Sequence, residues 1–73
     1  MQQFNYIRSL KDFRSQAIAA GLSRTVIWEH VCKALKVQSI FDLLDYPDST
    51  LKSFRQISDK RVKELREVLG PLR

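Results

Sequence analysis

The sequence has 73 residues, which predicts one small domain with a modest core and no deep substrate cleft. Hydrophobic residues make up 44% of the chain, so we expect it to fold and not to remain disordered. The net charge of +5 favours polyanionic partners, meaning nucleic acid or acidic protein surfaces, although small domains also carry such a charge for solubility alone.

The cysteine content and the apolar pattern indicate the compartment. Cys32 is the single cysteine, so no internal disulfide framework can form, which favours a reducing environment. No apolar run approaches the roughly 20 residues that span a bilayer. The opening MQQFNYIRSL lacks the basic leader and apolar block of a signal peptide. We therefore expect a cytoplasmic protein that does not bind membranes.

Apolar residues at helical spacing predict five helices and no strand, beginning with a helix over 10–20. Ser9 followed by Asp12 resembles a capping box at its start, and Gly21 is suited to end it. A second helix is predicted from a cap at Ser23 or Thr25 to about residue 35. Apolar residues cover most of its circumference, which predicts burial on two sides.

Three shorter helices are predicted in the second half of the chain. The first covers 40–44 and follows Ser39 and Asp42, which again resemble a capping box. The next runs from Asp48 or Ser49 to residue 54. Ser58 is the predicted cap of a final helix over 59–69, which the Gly-Pro pair at 70–71 ends.

The stretch LKSFRQISDKRVKEL, residues 51–65, predicts a helix-hairpin-helix. Its apolar residues fall on a short helix, in a tight turn and on the next helix: Leu51, Phe54, Ile57, Val62 and Leu65. The free backbone N–H groups at the start of the second helix can bind a phosphate. Lys60 and Arg61 lie in that first turn, where cations oppose the helix dipole unless an anion binds. Alternatively, both side chains simply extend into water.

The second half of the chain resembles the C-terminal domain of the bacterial RNA polymerase α subunit. The resemblance rests on Thr25-Val26, on Cys32-Lys33, on VQSIFDL at 37–43 and on the hairpin at 51–64, and it covers roughly residues 22–69. It implies an all-α, compact five-helix domain of that type over 22–73, with a terminal helix-hairpin-helix. Residues 1–21 would form an extra N-terminal helical extension that packs on this domain.

Members of that family bind the minor groove of A·T-rich DNA upstream of promoters and also serve as landing sites for activators. The resemblance therefore implies DNA as a partner, together with RNA polymerase or a transcription regulator. The family contacts DNA through an Arg and an Asn in the Thr-Val helix, which correspond here to Ile27 and His30. It also uses a hairpin Gly and the Lys and Ser after it, which correspond to Ser58, Lys60 and Arg61.

These correspondences retain part of the phosphate-binding half of the family's DNA site and change the half that reads the minor groove. The Lys is retained at Lys60, and the Glu that closes the hairpin is retained at Glu64. Ile27 cannot exploit the negative potential of a narrow minor groove as an Arg does, and Arg24 is its candidate substitute. We therefore predict contacts mainly to the phosphate backbone. The predicted nucleic-acid-binding residues are Arg24, His30, Lys33, Arg55, Ser58, Lys60 and Arg61.

Ile27 and Val31 suggest an alternative function, because residues four apart form an apolar strip on a helix. The first helix would pack on this strip and partly cover the former DNA face. Otherwise the strip stays exposed and binds a partner. The chain would then be a protein-interaction module that binds polymerase, a regulator or a second copy of itself in a homodimer.

No catalytic or metal site is predicted, so the chain is not expected to be an enzyme or to hold a cofactor. His30 and Cys32 provide too few ligands for a closed zinc site, and residues two apart point to different sides of a helix. Cys32 is expected in the core. Asp42, Asp45 and Asp48 are too sparse for a divalent-ion loop, and we interpret them as caps and solvated surface, or as an acidic patch for a protein partner.

Overall fold

The computed structural model describes residues 2–73, with side chains from residue 5 onward, so the first residue of the predicted 1–21 extension lies outside it. Within that range helices are the only regular secondary structure and no strand forms, so the predicted all-α class is confirmed. The α-helices are α1 (Gln2–Ser9), α2 (Phe13–Ala20), α3 (Thr25–Leu35), α4 (Asp48–Lys52) and α5 (Asp59–Leu69). Two 3₁₀ helices, Ile40–Asp45 and Gly70–Leu72, precede α4 and follow α5.

The predicted helix over 10–20 is wrong at its start, because the chain forms α1 before it and breaks at 10–12. Asp12, and not Ser9, is the N-cap of α2. Its backbone is extended, and its carboxylate accepts a hydrogen bond of 2.6 Å from the N–H of Ser15. At the other end, the prediction for Gly21 is confirmed: it adopts a left-handed φ of 96° and ends α2.

Helix α3 has the predicted extent, but the predicted side-chain cap at Ser23 or Thr25 is wrong. Arg24 occupies the N-cap position and makes no capping hydrogen bond. The hydroxyl of Ser23 bonds to Glu64 instead. The helix ends at Lys36, which takes a left-handed φ of 59° and donates its N–H back to the last turn.

The short helix predicted over 40–44 is present, and it is a 3₁₀ helix over Ile40–Asp45. The carboxylate of Asp42 accepts hydrogen bonds from the N–H groups of Gln38 (3.0 Å) and Ser39 (3.3 Å). These bonds satisfy two backbone donors that the start of a helix leaves without intrahelical partners. The short helix that follows ends at Lys52, earlier than predicted. Helix α5 has its predicted bounds, but Gly70 keeps a right-handed conformation and the chain continues as a 3₁₀ turn.

A buried glutamine joins the first half of the chain to the middle. Gln16 is 2% exposed, and its side-chain oxygen accepts a hydrogen bond of 2.9 Å from the N–H of Ile40. Its side-chain nitrogen donates to the carbonyl of Leu10 at 3.1 Å. Both ends of this buried amide are therefore satisfied, which avoids the cost of an unpaired polar group in the core.

The core draws side chains from all five α-helices and from the longer 3₁₀ helix, and α2 packs on α3. Its buried apolar members are Ile7, Ala17, Leu22, Trp28, Val31, Cys32, Ile40, Phe41, Leu43, Leu51, Ile57, Val62, Leu65 and Leu69. Residues of α1 and α2 thus share one core with the later helices. Over the residues described, none of the helices is long and apolar enough to cross a membrane.

Candidate nucleic-acid interface

A polar cluster of Ser23, Arg61 and Glu64 joins the start of α3 to the first two turns of α5. The Ser23 hydroxyl donates to the Glu64 carboxylate, whose oxygens lie at 2.8 and 3.0 Å. The Arg61 guanidinium donates to Ser23 Oγ and to Glu64 Oε1, both at 3.2 Å. The cluster therefore ties the segment just before α3 to the first two turns of α5.

The charge on Glu64 is stabilised inside this cluster. Partial burial pushes the pKa of Glu64 upward, but the hydrogen bonds from Ser23 and Arg61 outweigh burial and hold that pKa below its ordinary value. Glu64 is therefore ionised at neutral pH. Its carboxylate neutralises much of the charge that Arg61 would otherwise present to a ligand.

The starts of α3 and α5 share a second property, which is the absence of a side-chain cap. Arg24 and Ser58 occupy the two N-cap positions, and neither side chain bonds to the helix it precedes. The first N–H groups of both helices therefore have no side-chain acceptor. Such groups, together with the positive end of the helix dipole, favour an anion at this position.

The structure brings together four of the seven residues predicted to bind nucleic acid. Arg24, Ser58, Lys60 and Arg61 lie at the starts of α3 and α5, and we call this set the phosphate surface. Ser23 and Arg61, the chain neighbours of Arg24 and Lys60, are bonded directly. Among the described residues, Arg24 and Lys60 make no ion pair, so their charges are available.

The other three predicted residues lie elsewhere. Lys33 is in the last turn of α3, away from the helix start, and it pairs with Glu29 at 3.3 Å. His30 and Arg55 line a groove between α3 and the turn after α4. The sequence alone did not separate these residues from the phosphate surface, because the separation depends on how α3 lies against the turn.

That groove, which we call the α3 groove, has a volume of about 390 Å³ and is mainly apolar. It is lined by Val26, Ile27, His30, Val31, Phe54, Arg55 and Gln56. The rings of His30 and Phe54 meet edge to face, with centroids 6.4 Å apart. A smaller depression at the start of α3 also contains Val26 and Ile27, so the apolar surface continues towards Arg24.

The strip of Ile27 and Val31 is neither fully covered nor fully exposed. Val31 is completely buried in the core and forms the base of the α3 groove. Ile27 is half-buried and keeps part of its surface open to the groove. Sequence reasoning did not single out Val26 or Phe54 as groove residues, because the groove forms between segments that are distant in the chain.

The arrangement offers no metal centre within the part of the chain that the structure describes, where no three His, Cys, Asp or Glu side chains lie close enough to share an ion. Cys32 is fully buried. Burial raises the pKa of its thiol to about 12, and the carboxylates of Asp42 and Glu29 act in the same direction. The thiol is therefore protonated, and a poor nucleophile, at neutral pH.

No protein-family model matches the chain, and neither a curated protein nor a solved structure matches it significantly. The likeness to the polymerase α C-terminal domain therefore remains a prediction from the residues that carry it.

Proposed function

We propose that this chain is a small transcription-associated module that binds DNA mainly through the phosphate backbone. The observation that carries the proposal is the pairing of two uncapped helix starts at the phosphate surface. Arg24 and Lys60 flank these starts with unpaired charges, and the Ser23–Arg61–Glu64 cluster keeps them together. Backbone N–H groups, helix dipoles and cations then all favour an anion at one place.

The nearby acidic residue does not cancel this attraction. Asp59 lies in the first turn of α5, where its charge would repel a phosphate. It forms an exposed ion pair with Lys52, at 2.6 Å between carboxylate and ammonium. The hydrogen bond to Asp59 and its charge raise the pKa of Lys52, so the ammonium stays charged. The pair leaves little net charge beside the phosphate surface.

The proposed binding reads the backbone and carries little sequence information. Ile27 stands where the related family has a groove-reading Arg, and it offers neither a hydrogen-bond donor nor a charge. Transcription and protein partners such as RNA polymerase or a regulator enter the proposal from the resemblance over 22–69. The net charge of +5 supports a polyanionic ligand in general.

Fluorescence anisotropy with labelled A·T-rich and G·C-rich duplexes at two salt concentrations tests the proposal. We expect both duplexes to bind with a Kd of roughly 10⁻⁴ to 10⁻⁶ M near physiological salt. The Lys60→Ala/Arg61→Ala double variant should bind more weakly, and its salt slope should fall by about one, because Glu64 already neutralises much of the charge of Arg61. A clear preference for the A·T-rich duplex would mean that the chain also reads the minor groove.

The matched control removes two positive charges from another part of the molecule. Lys11→Ala/Arg14→Ala has the same net charge as the first variant, and both of its sites are exposed and lie away from the phosphate surface. It should retain most of the wild-type affinity. Equal losses in the two double variants would mean attraction by net charge alone. If the wild type does not bind DNA even at low salt, the proposal that this chain binds DNA is wrong.

A further inference from the structure

We propose that the α3 groove is a docking site for an acidic amphipathic segment of a partner protein. The site lies beside the phosphate surface, shares with it only Arg24 at its edge and does not depend on the DNA proposal. Its apolar contacts come from Val26, Ile27 and Phe54, with Val31 at the base. Its charged contact comes from Arg55.

The groove has unfilled apolar surface. Val26 is 53% exposed and is one of three large hydrophobic residues with such exposure in the described chain, alongside Tyr6 and Ile18. Of these three, Val26 lines the α3 groove, where Ile27 and Phe54 are half-buried and Val31 is buried at the base. A volume of about 390 Å³ accepts the anchor side chains of a peptide. A purely polar ligand would leave this surface in contact with water.

The charges around the groove favour an acidic occupant. Arg55 is exposed and makes no ion pair with any described residue. Arg24 lines the adjoining depression, which shares Val26 and Ile27 with the groove. Among the residues that the structure describes, none that lines either depression is acidic. Carboxylates on a partner would therefore meet cations and no repelling charge.

Two other occupants fit these observations less well. A second copy of the chain also carries a net charge of +5, so self-association would bring two positive surfaces together. A DNA backbone would pair with Arg55 but would leave Val26 and Ile27 unused. A helix with apolar anchors at i, i+3 or i+4 and i+7, flanked by Glu or Asp, uses both the apolar base and the cationic edge.

Selection from a library of random linear peptides, displayed against the full chain, tests this proposal. We expect the enriched peptides to be acidic and to carry apolar residues at helical spacing. The best peptide, once synthesised, should perturb the amide resonances of α3 and of residues 54–56. Val26→Glu and Arg55→Glu should each weaken its binding by roughly tenfold or more. Both substituted sites are exposed, so folding should survive.

The matched controls are Ile18→Glu and Arg14→Glu, which make the same chemical changes at exposed sites on α2. They should leave peptide affinity within about twofold. The proposal is overturned if nothing is enriched, if the enriched peptides are basic or lack apolar anchors, or if Val26→Glu leaves their affinity unchanged. It is also overturned if the free chain dimerises and Val26→Glu abolishes the dimer, because the occupant would then be a second copy.

The proposal for DNA binding and the proposal for peptide docking can be contradicted independently of each other. Lys60→Ala/Arg61→Ala should weaken DNA binding but leave peptide affinity unchanged. Val26→Ser, which removes apolar surface from the groove without adding a charge, should do the reverse. Loss of peptide binding in a chain that still binds DNA removes only the docking site. Loss of DNA binding in a chain that still selects acidic peptides removes only the proposed function.

Discussion

Among single residues, Cys32 has the most strongly altered chemistry. It is fully buried in α3, and burial raises the pKa of its thiol from 9.0 to about 12. An unfolded chain lacks that environment. The thiol should therefore ionise at lower pH in the unfolded chain than in the folded one.

We predict that Cys32 reacts with iodoacetamide at about pH 8 only after unfolding, measured by mass spectrometry with and without urea. Because the folded pKa is the higher one, the stability that it contributes is complete below the unfolded pKa. That contribution is lost as the pH rises from about 9 towards about 12. The free energy of unfolding should fall more steeply over this range in the wild type than in Cys32→Ala. Rapid alkylation of the native chain would contradict the prediction.

Local signals identified some residues correctly and misassigned others. Gly21 was predictable because a left-handed helix end depends on the residue itself. Ser23 was not, because a Ser just before a helix has the pattern of a cap. Its actual partner, Glu64, is 41 positions away in the chain and becomes a neighbour only after folding.

Among the elements, the contact between the segment just before α3 and the first two turns of α5 determines the candidate site, and Glu64 is its acidic component. We predict that Glu64→Gln strengthens DNA binding, because Arg61 loses its ion-pair partner and becomes available to a phosphate. The salt slope measured by anisotropy should rise by about one. Arg61→Ala in the same chain should abolish the gain.

Glu67→Gln is the control, because Glu67 is exposed on the same helix and makes no ion pair among the described residues. If it strengthens DNA binding as much as Glu64→Gln does, the effect comes from net charge and not from Arg61. Acid should act in the same direction as the Glu64 substitution. The pKa of Glu64 is lowered in the fold, so the stability from this ion pair is present above the unfolded value of 4.5 and is lost as the pH falls through the folded pKa.

The helices differ in how well the sequence predicts them. The bounds of α3 and α5 followed from long apolar patterns with several core positions each. Helix α1 was missed because, among its residues from 5 onward, only Ile7 lies in the buried core, and one buried position does not define a helical period. The 3₁₀ form of Ile40–Asp45 was also missed, since a capping pattern specifies where a helix starts but not how tightly it winds.

At the scale of the whole molecule, α1 is joined to the core through Ile7, which is 1% exposed. We predict that Ile7→Ala lowers the free energy of unfolding by about 2–5 kcal/mol, because it leaves a cavity in a well-packed core. The total free energy of unfolding of a native domain is only about 5–15 kcal/mol. Urea unfolding followed by the fluorescence of the buried Trp28 provides the measurement.

Tyr6→Ala is the control, since Tyr6 is the chain neighbour of Ile7 but is 61% exposed. It should change the free energy of unfolding by less than about 0.5 kcal/mol. If Ile7→Ala lowered the free energy of unfolding as little as Tyr6→Ala does, α1 would not belong to the cooperative core. The sequence predicted that the N-terminal segment packs on the rest, but it did not identify Ile7 as the residue that does so.

The Ser23–Arg61–Glu64 cluster also has a kinetic consequence for the proposed DNA binding. Arg61 already has an anionic partner, so a phosphate that arrives there replaces a carboxylate and does not fill an empty position. When the phosphate leaves, Glu64 re-forms the contact, and the guanidinium is never left without a partner. Such an exchange lowers the barrier to release, so residence times on DNA would be short. Short residence suits a module that samples many sites along a duplex and relies on other contacts to stop.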